Sequence, residues 1–163
     1  MSPKQRSVPE IIKRETSPFA SKMSPTNPRP SILFVCVANS CRSQMAEAIA
    51  RSIVGASWEI WSAGSHPSGQ VHPVAVQLTQ ELGLDVSAHR SKGLDQVPAR
   101  TWDYVVTMGC GDACPTVRAH HRVDWQIPDP VGLPLEEARH IRDQLAQQVR
   151  QLLQPLAKPA RPC

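Results

Sequence analysis

The stretch Ile32–Arg51, ILFVCVANSCRSQMAEAIAR, decides the fold of this 163-residue chain. It begins with an apolar run, Ile32–Val37, which is typical of a strand buried on both faces of a parallel sheet. It continues with apolar residues at helical spacing from Met45 to Ile53. The sequence therefore predicts a strand that passes through a short loop directly into a helix.

The loop between these two elements has the pattern Cys-x5-Arg and is followed by a serine. We call it the oxyanion loop; it consists of Cys36, Val37, Ala38, Asn39, Ser40, Cys41 and Arg42. A loop that joins the end of a strand to the start of a helix directs several backbone N–H groups toward one point, and the helix dipole adds positive charge there. The pattern predicts an anion site with a thiol at its floor.

The residue types in this loop suit nucleophilic attack on a tetrahedral oxyanion. Cys36 supplies a thiolate, which the helix N-terminus and a nearby guanidinium favour. Arg42 offers two parallel donors for two oxygens, Ser43 can donate to the thiolate, and Asn39 tolerates left-handed backbone angles. A structural cysteine beside a surface arginine is the alternative, and the strand–loop–helix context favours the anion site. Cys41 is either a second reactive thiol or a buried spacer, and we favour the spacer.

Charge and composition exclude several classes of function. Residues 1–30 carry six Lys or Arg against two Glu, a net charge of +4 that equals the charge of the whole chain. Residues 31–163 therefore hold 12 basic and 12 acidic residues and are neutral. With only two Phe and one Tyr available for base stacking, we expect no binding of nucleic acid. We also expect no membrane association, because no apolar run is long enough to span a bilayer.

The five cysteines are odd in number and are not spaced like the disulfide framework of a secreted protein. They lie in a pattern of alternating strands and helices instead, which favours a reducing cytoplasm and catalytic use. We expect one domain at residues 31–154, a disordered tail rich in Pro, Ser and basic residues at 1–30, and a C-terminal tail at 155–163. No interface is evident, and we expect a monomer.

The remaining elements complete an α/β pattern. We predict strands at Trp58–Ser62, Tyr104–Met108 and Val123–Gln126, a helix at Val74–Leu82, and a last helix that begins at Pro134 and is ended by Pro155. This order indicates a doubly wound, four-stranded parallel sheet, strand order 2-1-3-4, with helices on both faces. Ligands bind such sheets outside the carboxyl ends of the strands. We expect the loop after strand 1 to place Cys36 at this edge. The loop after strand 3 should place the pair Cys110 and Cys114 there, and the loop after strand 4 should place Asp129.

Cys110 and Cys114 allow three interpretations. On a helical turn they would lie about 6 Å apart and could form a disulfide. A metal site with His120 and His121 is disfavoured, because adjacent histidines rarely converge. The third interpretation is two cysteines that only fill space.

Asp129 lies between two prolines that stiffen its loop. A protonated carboxyl at this position can give a proton to a leaving oxygen. The residue types alone favour an aspartate that stabilises a turn. The sheet topology, together with the resemblance described next, favours the general acid.

The motifs VCVANSCRSQMAEA, WSAG, VVTM with a nearby Cys-x3-Cys-Pro, and DP before a long helix resemble the thiol-dependent arsenate reductases built on the low-molecular-weight tyrosine phosphatase fold. The resemblance covers about Ile32–Leu153. It implies that Cys36 attacks arsenate, that Cys110 then attacks the arsenylated thiol, and that Cys114 takes over the disulfide. It further implies no bound cofactor and a thioredoxin- or glutaredoxin-like reductant as partner.

Two features depart from that family. Its better-known members separate their second and third cysteines more widely. Some members also bind potassium through Asn, Glu, Ser and Asp; Asn39, Glu47 and Ser62 match, but Lys92 stands at the position of the Asp. We therefore predict no metal site.

Three functions remain open at this stage. The first is reduction of arsenate to arsenite through a cysteine relay. The second is a tyrosine or small phosphomonoester phosphatase, which needs only Cys36, Arg42 and Asp129. The third is a protein that binds an oxyanion or senses redox state without turnover.

Overall fold

Four strands and three helices form the part of the chain that the structure, a computed structural model, describes: residues 29–109 and 117–157. Along the chain they are β1 (Ser31–Cys36), α1 (Arg42–Val54), β2 (Glu59–Gly64), α2 (Pro73–Gln80), β3 (Trp102–Met108), β4 (Ala119–Trp125) and α3 (Leu135–Ala157). Short 3₁₀ turns lie at Gly55–Ser57 and Leu94–Gln96.

The strands form one parallel sheet in the order β2-β1-β3-β4, so the predicted fold class and strand order are confirmed. Cys36 is paired with Gly64, and Met108 with Trp125. The last residues of all four strands therefore reach the same edge of the sheet. This edge carries the oxyanion loop.

The core has two parts because alternate residues of a strand point to opposite faces. On one face, Phe34 belongs to a large cluster with residues of α1, α2 and α3, such as Met45 and Leu145. On the other face, Leu33 and its neighbours pack against Leu94 of the second 3₁₀ turn. All six residues of β1 are buried, which explains its continuous apolar run.

The bounds of β2, β3 and α2 differ from the prediction by at most two residues at either end, and β4 and α3 show differences with a physical reason. β4 begins at Ala119, four residues earlier than predicted, and most of its residues are exposed. It is an edge strand, so its polar stretch His120–Arg122 gives no apolar alternation to read. α3 continues through Pro155 to Ala157, because a proline near the end of a helix removes only one backbone donor.

Within residues 29–109 and 117–157, no helix combines the length and the apolar character needed to cross a membrane. Most of the two predicted tails, residues 1–28 and 158–163, lies outside the described residues.

Candidate active site

The oxyanion loop is tied down on its outer side through its own carbonyl groups. Backbone N–H groups of Ser65, His66, Ser68 and His72 donate to the carbonyl oxygens of Cys36, Val37, Ala38 and Ser40, over 2.8–3.1 Å. In a trans peptide the N–H points away from the C=O of the same unit. Holding the carbonyls outward therefore turns the loop's N–H groups inward, as an anion requires. Asn39 has a φ of 48°, the left-handed angle that the sequence suggested.

The thiol of Cys36 has one defined donor. Its Sγ lies 2.9 Å from Ser43 Oγ, and Asn39 Nδ2 donates to the same Oγ over 2.7 Å. The orientation of the Asn39 amide is fixed, because its Oδ1 accepts the backbone N–H of Lys92 at 2.9 Å. Since Ser43 Oγ accepts from Asn39, its own proton is free for the sulfur of Cys36. This arrangement stabilises the thiolate.

Gln44 extends this chain of hydrogen bonds to the edge of the site. It is fully buried, and its Nε2 donates to Asn39 Oδ1 at 2.8 Å and to the carbonyl of Arg90 at 2.9 Å. Its Oε1 lies 3.0 Å from Nδ1 of His89, so His89 carries a proton on Nδ1. Burial lowers the pKa of His89, which favours the neutral ring. Sequence reasoning missed these two partners of Gln44, because they lie in an irregular segment 45 and 46 residues further along the chain.

A second contact from this segment fixes the rim of the loop. Ser91 Oγ donates to the carbonyl of Ala38 at 2.8 Å and accepts the N–H of Ser68 at 3.0 Å. The carbonyl of Lys92 accepts the N–H of Gly64 at 2.9 Å. The segment 90–92 thus joins the loop to the end of β2.

Arg42 and Asp129 face each other across the mouth of the site. Arg42 Nη1 donates to the carbonyl of Ile127 at 3.0 Å, and its Nη2 lies 3.9 Å from Asp129 Oδ2. Asp129 Oδ1 accepts the N–H of Val131 at 3.1 Å, so this residue also stabilises the turn that the residue types favoured. The Asp129 side chain is 55% exposed and can exchange protons with solvent.

The structure thus brings four of the predicted residues, Cys36, Arg42, Ser43 and Asp129, to one edge of the sheet. Cys110 and Cys114 lie outside the described residues. The chain leaves β3 at Gly109, whose added Cβ would lie 2.6 Å from Arg42 Nη1. Gly109, the residue that precedes Cys110 in the sequence, therefore lies beside Arg42.

Gly109 is required here for two reasons, a φ of +77° and the contact with Arg42. We expect Gly109→Ala to lose about 1–2 kcal/mol of unfolding free energy through the left-handed backbone and to displace the guanidinium. Thermal unfolding measures the loss of stability, and kcat/KM measures the effect of the displaced guanidinium. Gly83→Ala is the matched control, because Gly83 has a φ of +81° and open space around its Cβ. It should lose stability alone, and an equal loss of kcat/KM in both variants would contradict the role of the contact.

Cys41 behaves as the spacer that the sequence favoured. Burial, with smaller contributions from the negative charges of Asp129 and Cys36, raises its pKa to about 12. It therefore remains a thiol at neutral pH and is a poor nucleophile.

His120 and His121 are consecutive residues of β4, so their side chains point to opposite faces of the sheet. His121 stacks on Tyr104 with ring centroids 4.8 Å apart. This geometry removes the physical basis for a metal site that uses both histidines together with the cysteine pair.

Comparison with known proteins agrees with this geometry. Residues 31–161 match the family model described as low molecular weight phosphotyrosine protein phosphatase. The chain is 38% identical over 127 residues to arsenate reductase 2 of Staphylococcus saprophyticus. The aligned region covers 76% of this chain and 95% of that relative. A solved structure of an arsenate reductase in the phosphate-binding state is 36% identical to this chain and superposes with a TM-score of 0.71. The match covers 77% of this chain and 98% of the solved chain.

A thioredoxin-dependent arsenate reductase of Corynebacterium glutamicum has a TM-score of 0.67 and 33% identity, over 84% of this chain and 65% of its own. The cysteine-based oxyanion loop, the order of the parallel strands and the match over residues 31–161 lead to one conclusion: the chain belongs to the low molecular weight phosphotyrosine protein phosphatase family.

Proposed function

We propose that this protein reduces arsenate to arsenite, with Cys36 as the nucleophile and Cys110 and Cys114 as a disulfide relay. The position of Gly109 against Arg42 carries this proposal, because Gly109 immediately precedes Cys110 in the sequence and lies beside the oxyanion loop. A phosphatase has no need of the two thiols that follow Gly109 in the sequence. The identity with arsenate reductases over three quarters of the chain supports the same choice.

In the first step the Cys36 thiolate attacks arsenic and forms a sulfur–arsenic bond. Arg42 and the inward N–H groups of the oxyanion loop hold the arsenate oxygens. Asp129 protonates the oxygen that leaves as water. No electrons are transferred to arsenic in this step, so it remains As(V).

In the second step the thiolate of Cys110 attacks the sulfur of Cys36. A sulfur–sulfur bond forms, and the electron pair of the broken sulfur–arsenic bond stays on arsenic, which leaves as arsenite. Two thiols are thereby oxidised to one disulfide and As(V) is reduced to As(III). Cys114 then attacks Cys110, frees Cys36 and leaves a Cys110–Cys114 disulfide for an external reductant.

The reductant is a thiol system. The name of the Corynebacterium glutamicum relative, thioredoxin-dependent arsenate reductase, makes thioredoxin the first candidate, with glutaredoxin and low-molecular-weight thiols such as mycothiol as alternatives. Arsenate-dependent oxidation of NADPH, measured with each coupled reductant in turn, tests the function. Absence of turnover with every reductant, in a protein that binds phosphate, would contradict it.

A phosphatase is the second candidate, because the family description and the set Cys36, Arg42 and Asp129 suit an aryl phosphate as well. Val131 and Gly132 follow the Asp129–Pro130 pair in this chain, and neither offers an aromatic surface for a phosphotyrosine ring. Hydrolysis of an aryl phosphate much faster than arsenate reduction would favour this candidate.

Asp129→Asn tests the proton transfer. We expect the rate of Cys36 adduct formation to fall by about 10²- to 10⁴-fold, the usual contribution of a general acid. Phosphate affinity should be kept, because removal of a carboxylate near an anion does not weaken the oxyanion loop. Rapid-quench kinetics measures the adduct, and titration calorimetry measures phosphate binding. An unchanged rate would leave Asp129 with its turn hydrogen bond to Val131 alone.

A further inference from the structure

A buried carboxylate lies close to the oxyanion loop. Glu47 follows Ser43 by four residues, about one turn of α1, and is 5% exposed. Its Oε1 accepts a hydrogen bond from Ser62 Oγ at 2.5 Å, and its Oε2 accepts one from Arg51 Nη2 at 2.9 Å. A negative charge at this depth opposes a thiolate and a bound oxyanion on the adjoining loop, since charges interact strongly where water is excluded.

Lys92 meets this carboxylate from the opposite side. Its Nζ lies 3.6 Å from Glu47 Oε1 and 3.3 Å from Ser62 Oγ, and its side chain is only 19% exposed. Arg51, the other cationic partner of Glu47, is 49% exposed, so solvent screens its charge more.

The backbone of Lys92 contacts the loop itself. Its N–H donates to Asn39 Oδ1, which orients Asn39 toward Ser43 and Ser43 toward Cys36. One residue therefore joins the buried charge to the hydrogen bonds of the nucleophile.

We propose that Lys92 is a positioning residue whose ammonium neutralises Glu47 beside the oxyanion loop and thereby keeps the loop favourable to the Cys36 thiolate and to a bound oxyanion. This inference rests on the proposed role of the loop. It assigns the ammonium an electrostatic function through Glu47, while the backbone of Lys92 holds Asn39.

The experiment measures phosphate binding to the reduced, full-length chain by titration calorimetry. Lys92→Met should weaken phosphate binding about tenfold, because it leaves the charge of Glu47 compensated only by the half-exposed Arg51. It should also displace the pH profile of Cys36 alkylation, followed by peptide-resolved mass spectrometry, toward higher pH. Lys92→Arg keeps the charge and should behave like the natural protein.

Two further variants isolate the cause. Arg100→Met also removes one positive charge, but Arg100 pairs with Glu59, which lies at the opposite end of β2. This variant should leave phosphate affinity unchanged. The double variant Glu47→Gln, Lys92→Met removes both members of the pair and should recover most of the affinity lost in Lys92→Met.

Phosphate binding by Lys92→Met equal to that of the natural protein would overturn the inference. So would equal losses in Lys92→Met and Lys92→Arg, or no recovery in the double variant, because each would indicate a merely structural lysine. Failure of the natural protein to bind phosphate would instead overturn the proposed role of the oxyanion loop.

Discussion

Cys36→Ser should abolish arsenate reduction and any hydrolysis of aryl phosphates, by about 10⁴-fold or more, in a protein that still folds. The hydroxyl of serine stays protonated where the reaction needs a thiolate. The pairing of Ser43 with Asn39 supplies one proton to the group at position 36, and it offers no base to activate a serine there. Steady-state kinetics with both substrates measures the loss.

Cys163→Ser makes the same chemical change at the C-terminus and should keep normal turnover. Thermal unfolding shows whether the Cys36→Ser variant is folded. A folded Cys36→Ser protein that still turns over arsenate would refute the nucleophile and with it the proposed first step.

Cys110→Ser should abolish multiple turnover of arsenate yet keep the hydrolysis of aryl phosphates. Without the thiol of Cys110, nothing in the proposed relay attacks the arsenylated Cys36, whereas water can clear a phosphorylated thiol. This difference separates a reductase from a phosphatase within one variant. Intact-protein mass spectrometry should find Cys36 with arsenic attached, and arsenite release should fall below one equivalent.

Cys114→Ser provides the comparison for this relay. It should release one equivalent of arsenite and stop as a Cys36–Cys110 disulfide, which peptide mapping identifies. A Cys36–Cys41 disulfide in its place would contradict the relay, and the high pKa of Cys41 is a reason to expect none. Full turnover of both variants with thioredoxin would show that an external thiol resolves the adduct directly.

The sequence predicted correctly those features that have a local signal. The buried strand β1 has a continuous apolar run, and α1 has helical spacing, so their junction could be placed at the oxyanion loop. The order of the strands followed from the alternation of strands and helices, which is typical of a doubly wound parallel sheet. β4 was predicted too short, since an exposed edge strand has no apolar alternation.

The sequence by itself determined the strand–loop–helix unit, the order of the sheet and the placement of Cys36 and Arg42 in the oxyanion loop, because spacing along the chain encodes all of them. Only the tertiary structure decided how these residues are oriented. The amide of Asn39 is fixed by Lys92, which lies 53 residues away, and Arg42 is held by Ile127, which lies 85 residues away. Contacts over such separations leave no periodic pattern in the sequence, since they depend on how the folded chain brings distant segments to the same edge of the sheet.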